Sequence, residues 1–118
     1  MFESLLTTVN DDAYTQSLGR NCTTEFALGV EDARYHIKVE NGRIISVEQG
    51  PFQMRAASFL ISATKDTWAE FMTSTPRPGF HDIFAMSAMG NASIEGDIKI
   101  LLEHLPYFKA VLGLLRKV

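Results

Sequence analysis

Cysteine is nearly missing from this sequence: Cys22 is the single thiol in 118 residues. A disulfide needs two thiols, so a scaffold stapled by internal disulfides is excluded, and so is a zinc site built from thiolates at fixed spacings. An excess of positive charge is missing as well. Lysine and arginine number 11 against 14 acidic residues, for a net charge of −3, and the basic residues are scattered. Nucleic acid is therefore not an expected partner. Long apolar runs are missing too. The longest near the C-terminus, residues 110–115, spans six positions, where a membrane helix needs roughly 18. The opening stretch has no positive charge before Arg20, a poor match to a secretory leader. A cytoplasmic protein with no integral membrane segment is the expectation, and any membrane contact would be transient.

Signatures of catalysis and metal binding are equally thin. His36 shares a predicted strand face with Lys38 and Glu40, which predicts exposure to solvent. His81 and Asp82 are neighbours, and adjacent residues on a helix do not face each other. Asp82 reads better as a helix cap. His104 is followed four positions later by Phe108, so the zinc-protease spacing is absent. Cys22 sits in a polar stretch with no base beside it in sequence, and a lone thiol there reads as buried rather than nucleophilic. There is no Gly-x-Ser-x-Gly elbow, and Gly90 and Gly96 do not form a dinucleotide fingerprint. No metal, cofactor or catalytic residue is expected. An enzyme using His81 or His36 as its base is the least supported reading.

What is present is a clear change of period along the chain. Phe2, Leu5, Leu6 and Val9 fall at helical spacing. Asn10 and Asp11 can cap a second short helix over 12–18, stopped by Gly19, with Tyr14 and Leu18 inward. From Thr24 the period becomes two. Phe26, Leu28 and Val30 alternate with Glu25, Ala27 and Gly29; Tyr35, Ile37 and Val39 alternate with His36, Lys38 and Glu40; Ile45 and Val47 share a face of the next stretch. Asn41-Gly42 is a strong hairpin signal and Glu31-Asp32 a weaker one, so a three-stranded meander is predicted over about 24–49. Gly50-Pro51 breaks it. A fourth strand is predicted over Ala57–Ala63 and a helix capped by Thr64 or Asp66 through Trp68 to Met72. A loop carrying Pro76 and Pro78 follows, then a short helix from Asp82 to Met89 and a fifth strand over Ala92–Gly96.

The tail carries the most information. Twelve of the 18 residues 98–115 are apolar. Ile98, Leu101, Leu102, Leu105, Phe108, Leu112 and Leu115 make one stripe, and Ile100, Tyr107, Val111 and Leu114 make a second beside it, more than one core-facing stripe requires. Pro106 should kink this helix or start a new one. Met72, Phe80, Ile83, Phe84, Met86 and Met89 add adaptable side chains around the loop before the fifth strand. Together these features favour an apolar cavity or an interface. An empty cavity costs about 24 cal/mol per Å³, so a small-ligand pocket of about 300 Å³ would cost about 7 kcal/mol if empty. That is comparable with a domain's whole stability of about 5–15 kcal/mol, so such a cavity should hold a greasy ligand or collapse.

The order of these elements, with Ala57–Ala63, the helix through Trp68, and Gly90-Asn91-Ala92-Ser93-Ile94-Glu95-Gly96-Asp97 before a Leu-rich tail, resembles the sterol carrier protein type 2 (SCP2) family of lipid-binding domains. The resemblance covers about residues 20–115. It implies that residues 1–118 form a single SCP2-like domain, with residues 1–20 as an N-terminal helical segment. The fold would be α+β, a five-stranded, mostly antiparallel sheet covered on one face by about five helices. It also implies a tunnel for a fatty acid, acyl-CoA or sterol-like lipid. By position, Phe59, Ile61, Trp68 and Met72 would wall it, Phe84, Met86 and Met89 would line its middle, and Leu101, Leu105, Phe108 and Leu112 would form its lid. Two departures bear on the head group: the loop from Thr73 to Phe80 is Pro-rich, and Asn91 stands where relatives often have lysine. The leading expectation is non-catalytic lipid binding and transfer. Its rival is an accessory subunit whose apolar C-terminal helix packs on a partner or in a homodimer.

Overall fold

A computed structural model of the chain describes residues 1–50 and 56–116; Pro51, read above as a break, lies outside them. Two short helices, α1 (Leu5–Thr8) and α2 (Ala13–Leu18), lead into the strands β1 (Thr24–Val30), β2 (Ala33–Glu40) and β3 (Arg43–Gly50). Then come β4 (Phe59–Ala63), α3 (Lys65–Phe71), α4 (Ile83–Ala88), β5 (Ala92–Gly96), α5 (Ile98–Glu103) and α6 (Leu105–Gly113). The strands form one five-stranded sheet in the order β3-β2-β1-β4-β5. Only β1 and β4 pair in parallel; the other neighbours are antiparallel. The expected α+β architecture is therefore present, with six helices among the described residues rather than five.

Both hairpin signals are used. Asn41 and Gly42 take φ values of 51° and 83°, the primed-turn geometry that matches strand twist. Glu31 has a φ of 55°, uncommon outside glycine. Its N–H donates to the Ala63 carbonyl and its carboxylate accepts from the Lys65 N–H at 3.0 Å, so the start of α3 holds this turn in place.

Register decides which side chains are buried. Phe26 faces Ile37, and Leu28 faces both Tyr35 and Ile61; all five are buried. In β3 the outcome differs from the predicted alternation: Ile44 is buried and Ile45 is 45% exposed. The pairing of Val47 with Ile37 and Ser46 with Lys38, followed by Ile44 with Val39, leaves Ile45 as the extra residue of a β-bulge. A bulge shifts the alternation by one, so Ile44 and Val47 reach the same core. Asn10 secures this edge. Its Nδ2 donates to the Ile44 carbonyl at 2.9 Å and its Oδ1 accepts from the Ile44 N–H at 2.8 Å, as a neighbouring strand would. Asp12, not Asn10 or Asp11, takes the cap position of α2.

Two more side chains depart from their predicted places. His36 is 1% exposed, with Nδ1 3.1 Å from Glu25 Oε2 on the adjacent strand; the face expected to be wet is covered here. Tyr14 is 69% exposed, and Thr15 takes the buried position of α2, donating to Asp12 Oδ2 at 2.7 Å. Because the helix starts at Ala13, its inward face turns away from Tyr14.

The helices cover the Phe26–Tyr35–Phe59 side of the sheet. Phe2 meets Tyr35 and Trp68 edge-on at 4.9 and 5.3 Å, and Phe108 meets Phe26 and Phe59 at 5.2 and 5.0 Å. The tail corrects the doubly striped helix. α5 ends at Glu103, and Pro106 stands in the first turn of α6, where its missing N–H has no intrahelical partner to lose. The stripes thus belong to two helices. Tyr107 and Val111 are buried, and Ile100 and Leu114 pack against the core. Most of the apolar surplus assigned to a guest or partner is absorbed by the chain itself, while Ile98 and Leu102 remain 41% and 55% exposed. Among the described residues no helix is long and apolar enough to cross a membrane.

Candidate functional site

The most site-like feature is organised by two helix starts and one helix end. Thr64 caps α3, its Oγ1 accepting from the Thr67 N–H at 3.2 Å. Asp82 caps α4, its Oδ1 accepting from the Phe84 N–H at 2.7 Å. Each bond satisfies a donor that the helix cannot. Between the two helices, Glu70 shapes the loop: it accepts from the Arg77 N–H at 2.9 Å and pairs with the Arg77 guanidinium at 3.1 Å. That guanidinium also lies 4.8 Å from the centre of the Phe80 ring.

Arg116 closes the loop from the other side. Its Nε donates to the Phe71 carbonyl at 3.1 Å, an Nη donates to the His81 carbonyl, and its plane lies 4.6 Å from the centre of the Phe71 ring. Next to this clamp is a cleft of about 160 Å³. Phe71, Ile83, Leu112 and Gly113 supply its apolar lining, and His81, Asp82, Lys109 and Arg116 its polar rim.

The rim's charges are unequal in their pairing. Lys109 Nζ is 3.3 Å from Asp82 Oδ2. Burial pushes the Asp82 carboxyl up, but the Phe84 N–H and the Lys109 ammonium outweigh it and hold the group below the usual carboxylate range. Asp82 is therefore ionised at neutral pH, and its charge is matched by Lys109. Among the described residues Arg116 has no carboxylate at ion-pair distance. An apolar lining beside a cationic rim can hold an amphiphile. Among the described residues lining the cleft there is no nucleophile paired with a base. Cys22, fully buried with its thiol pushed up to about 11 by burial, does not line it, and no metal-holding group of His, Cys, Asp and Glu occurs among the described residues.

The residues predicted from sequence to bind ligand are spread more widely than one cleft. Leu112 lines it. Phe59 and Phe108 touch each other, and Phe59 stacks on Phe26 at 5.3 Å. Trp68 donates its indole N–H to the Gly29 carbonyl at 2.8 Å. Ile61, Met86 and Leu101 are buried, and Met72, Phe84 and Leu105 are half-buried against the core. Met89 is 61% exposed, its sulfur filling the space where Gly79 lacks a side chain. The Gly90–Asp97 element has structural duties. Gly90 ends α4 at a φ of 80°, Gly96 brings β5 so close that a Cβ would stand 2.7 Å from the Ser58 carbonyl oxygen, and Asp97 caps α5.

Lys109 and Arg116 were not singled out from sequence, yet a signal exists. Lys109, Leu112, Gly113 and Arg116 follow the i, i+3, i+4, i+7 spacing of one helix face, although α6 itself ends at Gly113.

Neither the protein-family models nor the curated proteins match this chain. Solved structures do match. The crystal structure of sterol carrier protein 2 aligns over 99% of this chain and 94% of its own, with a TM-score of 0.78 at 15% identity. A UbiJ-SCP2 ubiquinone synthesis protein aligns over 97% and 91%, with a TM-score of 0.60 at 15% identity. Sterol carrier protein 2 from Yarrowia lipolytica, in its apo form, aligns over 99% and 90%, with a TM-score of 0.59 at 8% identity. The architecture described above is the SCP2-like fold.

Proposed function

We propose that this chain, which has the fold of sterol carrier protein 2, binds a lipid such as a fatty acid, an acyl-CoA or a sterol-like molecule. The ligand enters at the cleft between α3, α4 and α6, and the protein transfers it without catalysis, in the cytoplasm and with only transient membrane contact. The observation that carries this reading is a cleft with an apolar lining and a cationic rim between α3, α4 and α6 in an SCP2-like fold.

Size sets the terms. The cleft's 160 Å³ is close to the roughly 150 Å³ that admits benzene and about half of the smallest usual ligand pocket. It takes the end of a chain as it stands. Burying more of a chain, at about 0.8 kcal/mol per methylene, requires α4 and α6 to part. Met72 at the end of α3 and Met86 in α4 are unbranched and repack easily. Chain-length selectivity should then be weak. Tyr107 and Val111 are covered within the chain, so the doubled stripe no longer argues for a guest or for a partner, and the accessory-subunit reading is not the better supported one.

Titration with a fluorescent fatty acid, together with native mass spectrometry of freshly purified protein, tests the proposal. Saturable one-to-one uptake is expected, reduced by Leu112→Phe, which narrows the cleft. No uptake and no co-purifying lipid would overturn it.

A further inference from the structure

We propose that Arg116, with Lys109 beside it, selects for an amphiphile with an anionic head, a carboxylate being the simplest case; this rests on the lipid-binding reading above. The charge count at the rim supports it. Among the described residues of the rim, two cations, Lys109 and Arg116, stand against one carboxylate, Asp82, which Lys109 already neutralises at 3.3 Å. The surplus positive charge belongs to Arg116, in a chain whose overall charge is −3. Local design rather than general basicity accounts for it.

Arg116 is also held ready. A guanidinium has five N–H donors. The bonds to the Phe71 and His81 carbonyls use two of them and, with the Phe71 ring beneath the plane, fix its orientation at the cleft. The remaining donors suit a planar carboxylate, for which arginine's rigid fork is pre-organised. A hydrocarbon tail directed away from that head meets Phe71, Ile83 and Leu112. A neutral head would leave the surplus charge to water alone.

Calorimetric titration with octanoate and with octanol, a pair differing in the head alone, separates the two levels of the argument. Octanoate should bind at least about tenfold more tightly than octanol, and the preference should shrink as salt rises. Arg116→Gln should bring the two affinities close to equal. Arg116→Lys should keep part of the preference, and Lys109→Gln should cost less than Arg116→Gln because Lys109 already has a partner. If wild-type protein binds both ligands equally, or if Arg116→Gln keeps the full preference, head-group selection is overturned and lipid binding stands. If wild-type protein binds neither ligand, the lipid reading itself falls. The wild-type comparison does not depend on any variant folding.

Discussion

Helix α6 meets the rest of the protein in two different ways. At its start, Tyr107 donates its hydroxyl to the Gly42 carbonyl at 2.9 Å inside the core, and Phe108 closes a ring cluster with Phe26 and Phe59. Burial, helped by the nearby Cys22 thiol, pushes the Tyr107 phenol well above its ordinary range, as expected of a hydroxyl sealed from water. Near its end, Lys109, Leu112 and Gly113 border a cleft, and Arg116 just beyond bridges the two ends of the loop between α3 and α4. One helix therefore provides both an anchor in the ring cluster and one wall of the cleft. Under the proposed function it is this end that must part from α4, while the start stays docked on the sheet.

The sharpest way to break this contrast is at the anchor. Phe108→Ala removes the ring packed edge-on against the stacked Phe26 and Phe59 and should cost about 3–5 kcal/mol, read as a lowered urea midpoint with an unchanged slope. A loss below about 1 kcal/mol would mean that the start of α6 is as loosely packed as its end. A smaller effect is expected from Gly19→Ala. The backbone there, with φ of −102° and ψ of 15°, is open to any residue, but a Cβ would overlap the Tyr107 ring and stand 2.8 Å from the Gly42 Cα. The overpacking should cost about 1–3 kcal/mol in the same urea experiment, and an unchanged midpoint would show that Tyr107 is not fixed over the hairpin.

Much of the fold was legible because its signals are local. Alternation marks β1 and β2, Asn41-Gly42 fixes a turn through the φ values it tolerates, and Thr64 and Asp82 announce two helix starts through bonds that reach two or three residues ahead. What was not legible depends on distant partners. The bulge that turns Ile45 outward is stabilised by Asn10, 34 positions away from Ile44. His36 is buried on the face its neighbours mark as polar, where it pairs with Glu25 on β1. The candidate site was the least legible part. The resemblance to the SCP2 family put Phe59, Phe108 and Trp68, by position, along a lipid tunnel, and in the structure these rings pack against one another and their neighbours. Lys109 and Arg116 acquire their meaning only when α6 meets Asp82, Phe71 and His81. A pattern of hydrophobicity reports what will be buried; it does not distinguish burial by protein from burial by a guest.

The smallest expected effect carries the opposite sign and tests the open end. Gly113 is the last residue of α6 and lines the cleft, and a Cβ built there would meet no atom within 4 Å. Its φ lies outside the left-handed region, so alanine can adopt the backbone without strain. Glycine in a helix costs roughly 0.5–1 kcal/mol relative to alanine, chiefly through the freedom it gives the unfolded chain, and less where the helix is ending. Gly113→Ala should therefore raise stability by about 0.5 kcal/mol, so that the same chemical change destabilises at Gly19 and stabilises at Gly113. If Gly113→Ala instead lowers the urea midpoint, the space beside it is already occupied, and α6 is sealed along its whole length.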